Sequence, residues 1–299
     1  MAGESRTQVT LGRDEGEHMS TTSTDLRTTI ESDGYVVVRE VVPREKTEAV
    51  VADIWRHTGA RPDEPESWYA EGVVRPTGMI EMYHYQSMWD TRQHERVHQV
   101  FADIFGTEQL WVSLDRANLK PPVHPDHPEY DHKGFIHWDA EIQKYPHVPF
   151  YVQGVLALAD TDESMGGFQC VPEIYQDLAG YLERHPPTDG SRVPDLTGYE
   201  ITKIPLGAGD MVIWTNLLPH GNGHNTSDRP RLAQYISMGP ARDGAGDHRD
   251  NRVRSWQRNE APTPGGSPFP GDPRRIEEAR SEPAHLTPLG RKLIGVDPW

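Results

Sequence analysis

His137, Asp139 and, far downstream, His220 are the side chains whose types and spacing suit joint chemistry. His137-Trp138-Asp139 lies in a short strand-like stretch. Alternation there turns His137 and Asp139 to one face, with Ile136 and Trp138 on the other. One strand cannot wrap a metal ion, so a third donor must come from elsewhere. His220 is placed for this, just after the apolar strand Met211-Val212-Ile213-Trp214 and at the edge of a Gly/Asn-rich segment. Two imidazoles and one carboxylate hold one face of an octahedral ferrous ion and leave the opposite face open for an oxidant. Catalytic zinc accepts the same donors. An isolated His-x-Asp often arises by chance, and the chain has 15 histidines. His124, His127 and His132 are read as members of a hydrated Pro/Asp-rich loop, and His224 as an outer partner or solvent group.

Arg231 strengthens the metal reading. It follows Pro230 and begins the strand Leu232–Ser237. A guanidinium pointing into a sheet-lined cavity needs an anionic partner, because an unpaired buried charge is costly. The far carboxylate of an organic acid bound to the metal is such a partner, gripped by a bidentate, charge-assisted pair. Arg229 is the better candidate for a surface ion pair. Asn118 and Lys120 share a face on the strand before the metal-binding one and are candidates for contact with co-substrate or substrate. Gln153 is a further candidate; structural hydrogen bonding is the competing role for all three.

These side chains need a scaffold. Residues 1–23 are polar and read as a disordered lead-in. A short helix carrying Leu26 and Ile30 follows, then a strand over Gly34–Val42 closed by Pro43. Pro43 opens a helix with Val50, Val51, Ile54 and Trp55 at helical spacing, and a second amphipathic helix is expected over Thr91–Phe105, capped by Gly106. From Leu110 the chain turns to short strands: Leu110–Leu119, Phe135–Ala140, Phe150–Ala159, Phe168–Pro172, Tyr199–Ile204, Met211–Thr215 and Leu232–Met238. A helix over Glu173–Glu183 interrupts them. Strands at this density suggest an antiparallel double sheet. The tail beyond Arg242 is expected to hold a helix at Pro273–Ala279. The loop Pro121–Gly134 and the segment Trp68–Tyr85 are candidate lids over a small-molecule substrate.

Composition removes some partners. A net charge of −16 argues against nucleic acid, whose affinity depends on neutralising phosphates with Lys and Arg. No stretch is apolar and long enough to span a bilayer, and the N-terminus lacks a secretory h-region. The single cysteine, Cys170, cannot form an intramolecular disulfide and reads as a small buried hydrophobe. A soluble cytoplasmic enzyme is the expectation.

The ordered set of motifs resembles the phytanoyl-CoA dioxygenase family of iron(II)/2-oxoglutarate oxygenases. Its markers run from Gly34-Tyr35-Val36-Val37 through His137-x-Asp139, Val155–Asp160, Gly166-Gly167-Phe168 and Val171-Pro172. They continue with Gly207-x-Gly209-Asp210 and His220 to Asn225, Ser227 and Arg229-Pro230-Arg231. The resemblance implies a mainly β fold with flanking helices, a cupin-like double-stranded β-helix or jelly roll. It implies one oxygenase domain over 24–299, with its β-helix core at about 110–240 and a C-terminal extension at about 242–299. It implies Fe(II) on His137, Asp139 and His220, with 2-oxoglutarate and O2 as co-substrates. Arg231 would grip the C5 carboxylate of 2-oxoglutarate, and Asn222 matches a position that assists it. The expected reaction is hydroxylation of an unactivated C–H bond in a small organic molecule, as in secondary-metabolite biosynthesis. Asp139 argues against a halogenase, which would free that position for halide. Two departures concern the substrate pocket: Val171-Pro172 is followed by Glu173-Ile174-Tyr175 instead of Gly-Ser-His, and the chain differs near Val155 from the many members that carry an aromatic residue beside the co-substrate there. The alternative is a metal-dependent hydrolase or isomerase on a cupin-like barrel, working without 2-oxoglutarate.

Overall fold

Alternation along the strands decides which side chains face which layer. The computed structural model describes residues 23–69, 72, 74–131, 136–188, 190–242, 246–263 and 269–299. The expected lead-in at 1–23 lies outside them, apart from Ser23. The first half contains α1 (Ser23–Asp33), β1 (Tyr35–Val38), α2 (Arg44–Thr58), β2 (Met79–Ile80), α3 (Gln86–Arg92), α4 (Glu95–Phe105), β3 (Leu110–Val112) and β4 (Ala117–Lys120). Then come β5 (Val152–Ala157), β6 (Phe168–Cys170), α5 (Pro172–Gln176), α6 (Leu178–Arg184), β7 (Thr202–Lys203) and β8 (Met211–Thr215). The chain closes with β9 (His220–Asn222), β10 (Arg231–Tyr235), β11 (Met238–Pro240), α7 (Gly246–Arg258) and α8 (Pro288–Ile294).

A six-stranded antiparallel sheet runs in the order β1-β8-β5-β10-β4-β2, beside a three-stranded sheet, β7-β6-β9. A backbone bridge from His137 to His220 extends the smaller sheet past β9. The inner residues Val37, Val155, Ala157, Val212, Trp214 and Ala233 bury against Phe168 and Cys170 of β6. Their neighbours Val36, Val38, Leu156, Met211, Ile213 and Leu232 point the other way, into a core shared with Ile54, Trp89 and Phe101 of α2, α3 and α4. Strands β1 and β8 are thus apolar on both faces, one packed on helices and one on the second sheet. Cys170 is fully buried, and burial pushes its thiol up, as its reading as a small hydrophobe requires.

The turn before β8 shows why Gly207-x-Gly209-Asp210 is spaced as it is. Gly209 has φ +92, and a Cβ there would stand 2.2 Å from the carbonyl oxygen of Val42. Its own carbonyl accepts from the Val41 and Val42 amides at 2.8 and 3.2 Å. Asp210 accepts from the Gly207 amide at 2.7 Å and the Glu40 amide at 2.9 Å. The turn therefore locks the end of β1 beside β8.

Several boundaries differ from the sequence reading. The strand expected at Leu110–Leu119 breaks into β3 and β4, so that the two halves join different sheets. The helix expected at Thr91–Phe105 becomes α3 and α4, separated by Gln93 and His94. Helix Glu173–Glu183 divides at Asp177. Of the strand expected at Phe135–Ala140, only the bridge at His137 is ladder-paired; residues 132–135 lie outside the described ones. Pro273–Ala279 forms turns instead of a helix, with Arg275 at φ +53 and the Glu277 carboxylate accepting from the Tyr83 and His84 amides at 2.6 Å each. The tail's long helix is α7. It is polar nearly all round, and long-range side-chain contacts hold it: Arg249 and Arg252 donate to the carbonyls of Val296 and Leu293 at 3.0 Å, and Trp256 Nε1 donates to Ala284 at 2.9 Å. Among the described residues, no helix is long and apolar enough to cross a membrane.

Candidate metal centre

The backbone brings the two histidines together before the side chains do. The His137 amide donates to the His220 carbonyl at 2.9 Å, and the His220 amide returns the bond at 3.0 Å. Because β9 pairs with β6, this places one donor beside the other across an otherwise ordinary antiparallel contact. His137 Nε2 lies 3.4 Å from Asp139 Oδ1, and His220 Nε2 lies 3.3 Å from Asp139 Oδ2. The donor atoms of the three residues all fall within 4.8 Å of one another. Neighbouring donors about 2.1 Å from an octahedral ion sit about 3 Å apart, so the spacing fits a shared metal. Ile136 and Trp138 turn away into a separate apolar cluster with Ile174 and Tyr181, as alternation predicts.

Supporting contacts orient the donors. His220 Nδ1 stands 2.9 Å from the Leu218 carbonyl, and an Nδ1–H donated there leaves the Nε2 lone pair facing the centre. The faces of Phe168 and Trp214 pack on the same ring. Gln153 Nε2 donates to Asp139 Oδ2, and Arg192 Nη2 donates to Asp139 Oδ1 at 2.5 Å. Burial by itself would raise the Asp139 carboxyl; the bonds from His137, His220 and Gln153 outweigh it and hold the group well below the usual carboxylate range. The carboxylate is thus ionised at any physiological pH, which is what a metal ligand requires.

Arg231 and Lys120 are cross-strand partners on β10 and β4, and both are buried. Ala117 and Leu119 face the helices, so Asn118 and Lys120 share the inner face as expected. Arg231 Nη1 donates to Asn118 Oδ1 at 3.5 Å, and Asn118 Nδ2 donates to the Thr77 carbonyl at 3.3 Å. Burial and then the charge of Arg231 push Lys120 down to about 8, while Asp131 pulls the other way. Among the described residues, no carboxylate lies within ion-pair distance of Arg231. A paired set of buried cations is a site for an anion.

The remaining candidates fall as follows. Gln153 braces Asp139, and its contact is structural. Asn222 Nδ2 donates to the Tyr235 hydroxyl at 3.4 Å. His224 is drawn off to Asp131 at 2.7 Å, and Arg229 forms an exposed pair with Asp162 at 3.6 Å. His124 and His127 pack with Tyr69, whose hydroxyl donates to the Pro122 carbonyl at 2.9 Å. His132 lies outside the described residues. Sequence reasoning missed Arg192. It stands in a Gly/Pro-containing stretch with no periodicity, and only its docking on the Trp138 carbonyl, at 2.7 Å through Nε, brings it to Asp139.

Comparison with known proteins agrees with this arrangement. The chain is 25% identical over 241 residues to the Ava biosynthesis cluster protein O of Aspergillus versicolor, covering 73% of this chain and 78% of that protein. A hypothetical protein of Escherichia coli superposes with a TM-score of 0.64 at 17% identity, covering 92% of this chain and 84% of the other. The epimerase SnoN, solved with Fe3+, alpha ketoglutarate and nogalamycin RO, gives 0.52 at 20% identity, covering 89% and 95%. The family described as Phytanoyl-CoA dioxygenase (PhyH) matches residues 30–233, which is most of the chain and contains the triad and Arg231; the protein belongs to that family.

Proposed function

We propose that this protein is a non-haem Fe(II)/2-oxoglutarate-dependent oxygenase acting on an unactivated C–H bond of a small organic substrate. The observation that carries the reading is the pairing of two opposite sites in one interior: a His-Asp-His triad and a buried Arg231–Lys120 pair. In this reading the two facing sheets form a double-stranded β-helix within one catalytic domain spanning 24–299.

His137, Asp139 and His220 would hold the ferrous ion. Bound there, iron with 2-oxoglutarate and O2 supplies a C–H-cleaving oxidation coupled to release of succinate and CO2. The chain's own work is geometric and electrostatic. Arg231 grips the distal carboxylate of 2-oxoglutarate in a bidentate pair, and Lys120 adds a second positive charge. The Leu218 carbonyl holds His220 in register, and Gln153 and Arg192 hold Asp139. The apolar layer around Val155, Val212 and Phe168 keeps water from the interior.

A zinc hydrolase would use the same triad but give the buried Arg231 no anion to bind. The biosynthesis-cluster name of the Aspergillus relative supports a substrate from secondary metabolism. The Fe3+ and alpha ketoglutarate in the SnoN complex support the cofactor set. Anaerobic titration with iron(II) and then 2-oxoglutarate tests the reading. A weak visible charge-transfer band and O2-dependent succinate formation are expected; absence of both rejects it.

A further inference from the structure

A cavity of about 710 Å³ opens between the strands β3 and β11 and helix α7. Its volume suits a drug-sized molecule. Tyr151 forms the edge nearest the metal centre. It immediately precedes β5 and lies two residues before Gln153, whose amide reaches Asp139, so the extended chain turns both to one side. Burial and then the charges of Asp139 and Asp115 push the Tyr151 hydroxyl up to about 12. Asn216 fixes that edge. Its amide donates to the Tyr151 carbonyl at 3.0 Å, and its carbonyl accepts from Ala140, the residue after Asp139, at 3.1 Å.

The walls have a definite chemistry. Phe105, Trp111, Phe150, Tyr151, Met238 and Phe269 supply apolar and aromatic surface. Among the described residues the charged lining is Arg242 and Arg252 against Asp115, with the imidazole of His248 beside them. None of these three basic side chains has an ion-pair partner among the described residues, and Asp115 is already held by Arg116 at 3.2 Å. Burial, followed by Arg252 and Arg242, lowers the pKa of His248. A locally basic pocket is notable in a chain of net charge −16. Residues 242–252 lie beyond the family match at 30–233, so this wall belongs to the chain's own C-terminal segment. Neither segment expected to act as a lid, Trp68–Tyr85 or Pro121–Gly134, lines it.

We propose that this cavity receives the organic substrate, and that the substrate is a ring-bearing organic anion with its acid group at Arg242 and His248 and its apolar body along Trp111 and Phe150. The proposal rests on the oxygenase reading for what happens at the Tyr151 end, but not for what the cavity binds.

Calorimetry on the full chain, metal-free and again with iron(II) and 2-oxoglutarate under anaerobic conditions, tests it with 1-naphthoate and the matched neutral 1-naphthylmethanol. The acid should bind at least about tenfold more tightly than the alcohol. The exposed double substitution Arg242→Ala/His248→Ala should remove that preference, leaving alcohol affinity and 2-oxoglutarate affinity within about twofold. Trp111→Ala should weaken both probes by about tenfold. Equal binding of acid and alcohol, binding of neither, or indifference to the double substitution overturns the proposal. If 2-oxoglutarate fails to bind wild-type protein, the oxygenase reading falls, while the naphthoate preference of the metal-free chain still decides the cavity.

Discussion

The triad and the Arg231–Lys120 pair face one interior but are balanced in opposite ways. At Asp139, burial works against ionisation and the interactions with His137, His220 and Gln153 overcome it. At Lys120, burial and the like charge of Arg231 work together to weaken the cation. The first site is complete as a polar network and waits only for an ion to be shared among its donors. The second holds an unfavourable like-charge contact that an incoming carboxylate relieves. One end is preorganised by the protein; the other gains its stability from the ligand.

The comparison breaks most sharply at the triad. Asp139→Ala or His137→Ala should cut O2-dependent succinate formation by at least about a thousandfold, because no other donor replaces a lost ligand. The thermal unfolding midpoint should move little; rates near wild type would refute the ligand assignment. Next comes Arg231→Ala. It should raise the 2-oxoglutarate concentration needed for half-maximal turnover about a hundredfold, the scale of removing one partner from a buried charged pair. Iron affinity, read by titration, should hardly change, and an unchanged co-substrate requirement would place 2-oxoglutarate elsewhere.

Smaller effects sharpen the contrast. Arg192→Ala or Gln153→Leu should weaken iron binding by about tenfold and leave 2-oxoglutarate binding to the loaded enzyme nearly intact. Coupled losses in both affinities would mean that the two clusters are not independent. The finest test is pH. Lys120 is protonated below about 8 and neutral above it. Affinity for 2-oxoglutarate should therefore be flat at lower pH and fall as pH rises through about 8, by no more than about tenfold per unit. Lys120→Met should flatten that segment of the profile; a wild-type profile that stays flat through pH 9 removes Lys120 from the anchor.

Much of this was legible from residue order. Alternation in His137-Trp138-Asp139 assigned the donors to one side and Trp138 to the other, and the same rule put Asn118 and Lys120 together on the inner face. The Gly207-x-Gly209-Asp210 turn and strand Met211–Thr215 follow from local chemistry alone. Arg192, the break between β3 and β4, and helix α7 were not legible. None carries a periodic signal strong enough, and each is stabilised by partners far along the chain, such as Trp138 for Arg192 and Val296 for Arg249. The role of Gln153 was open for the same reason: a single amide on a strand says nothing of which carboxylate it will meet.

By itself, the amino-acid order determined the donor types, their faces and the need for an anion beside Arg231, because alternation and charge burial are local consequences of residue type. Tertiary structure alone decided that His137 lies across the backbone from His220, that Arg192 closes on Asp139, and that the tail past residue 242 walls a basic aromatic cavity. Those outcomes depend on closing long loops, and the free energy that closes them comes from the summed packing of two sheets and their helices and not from any short segment.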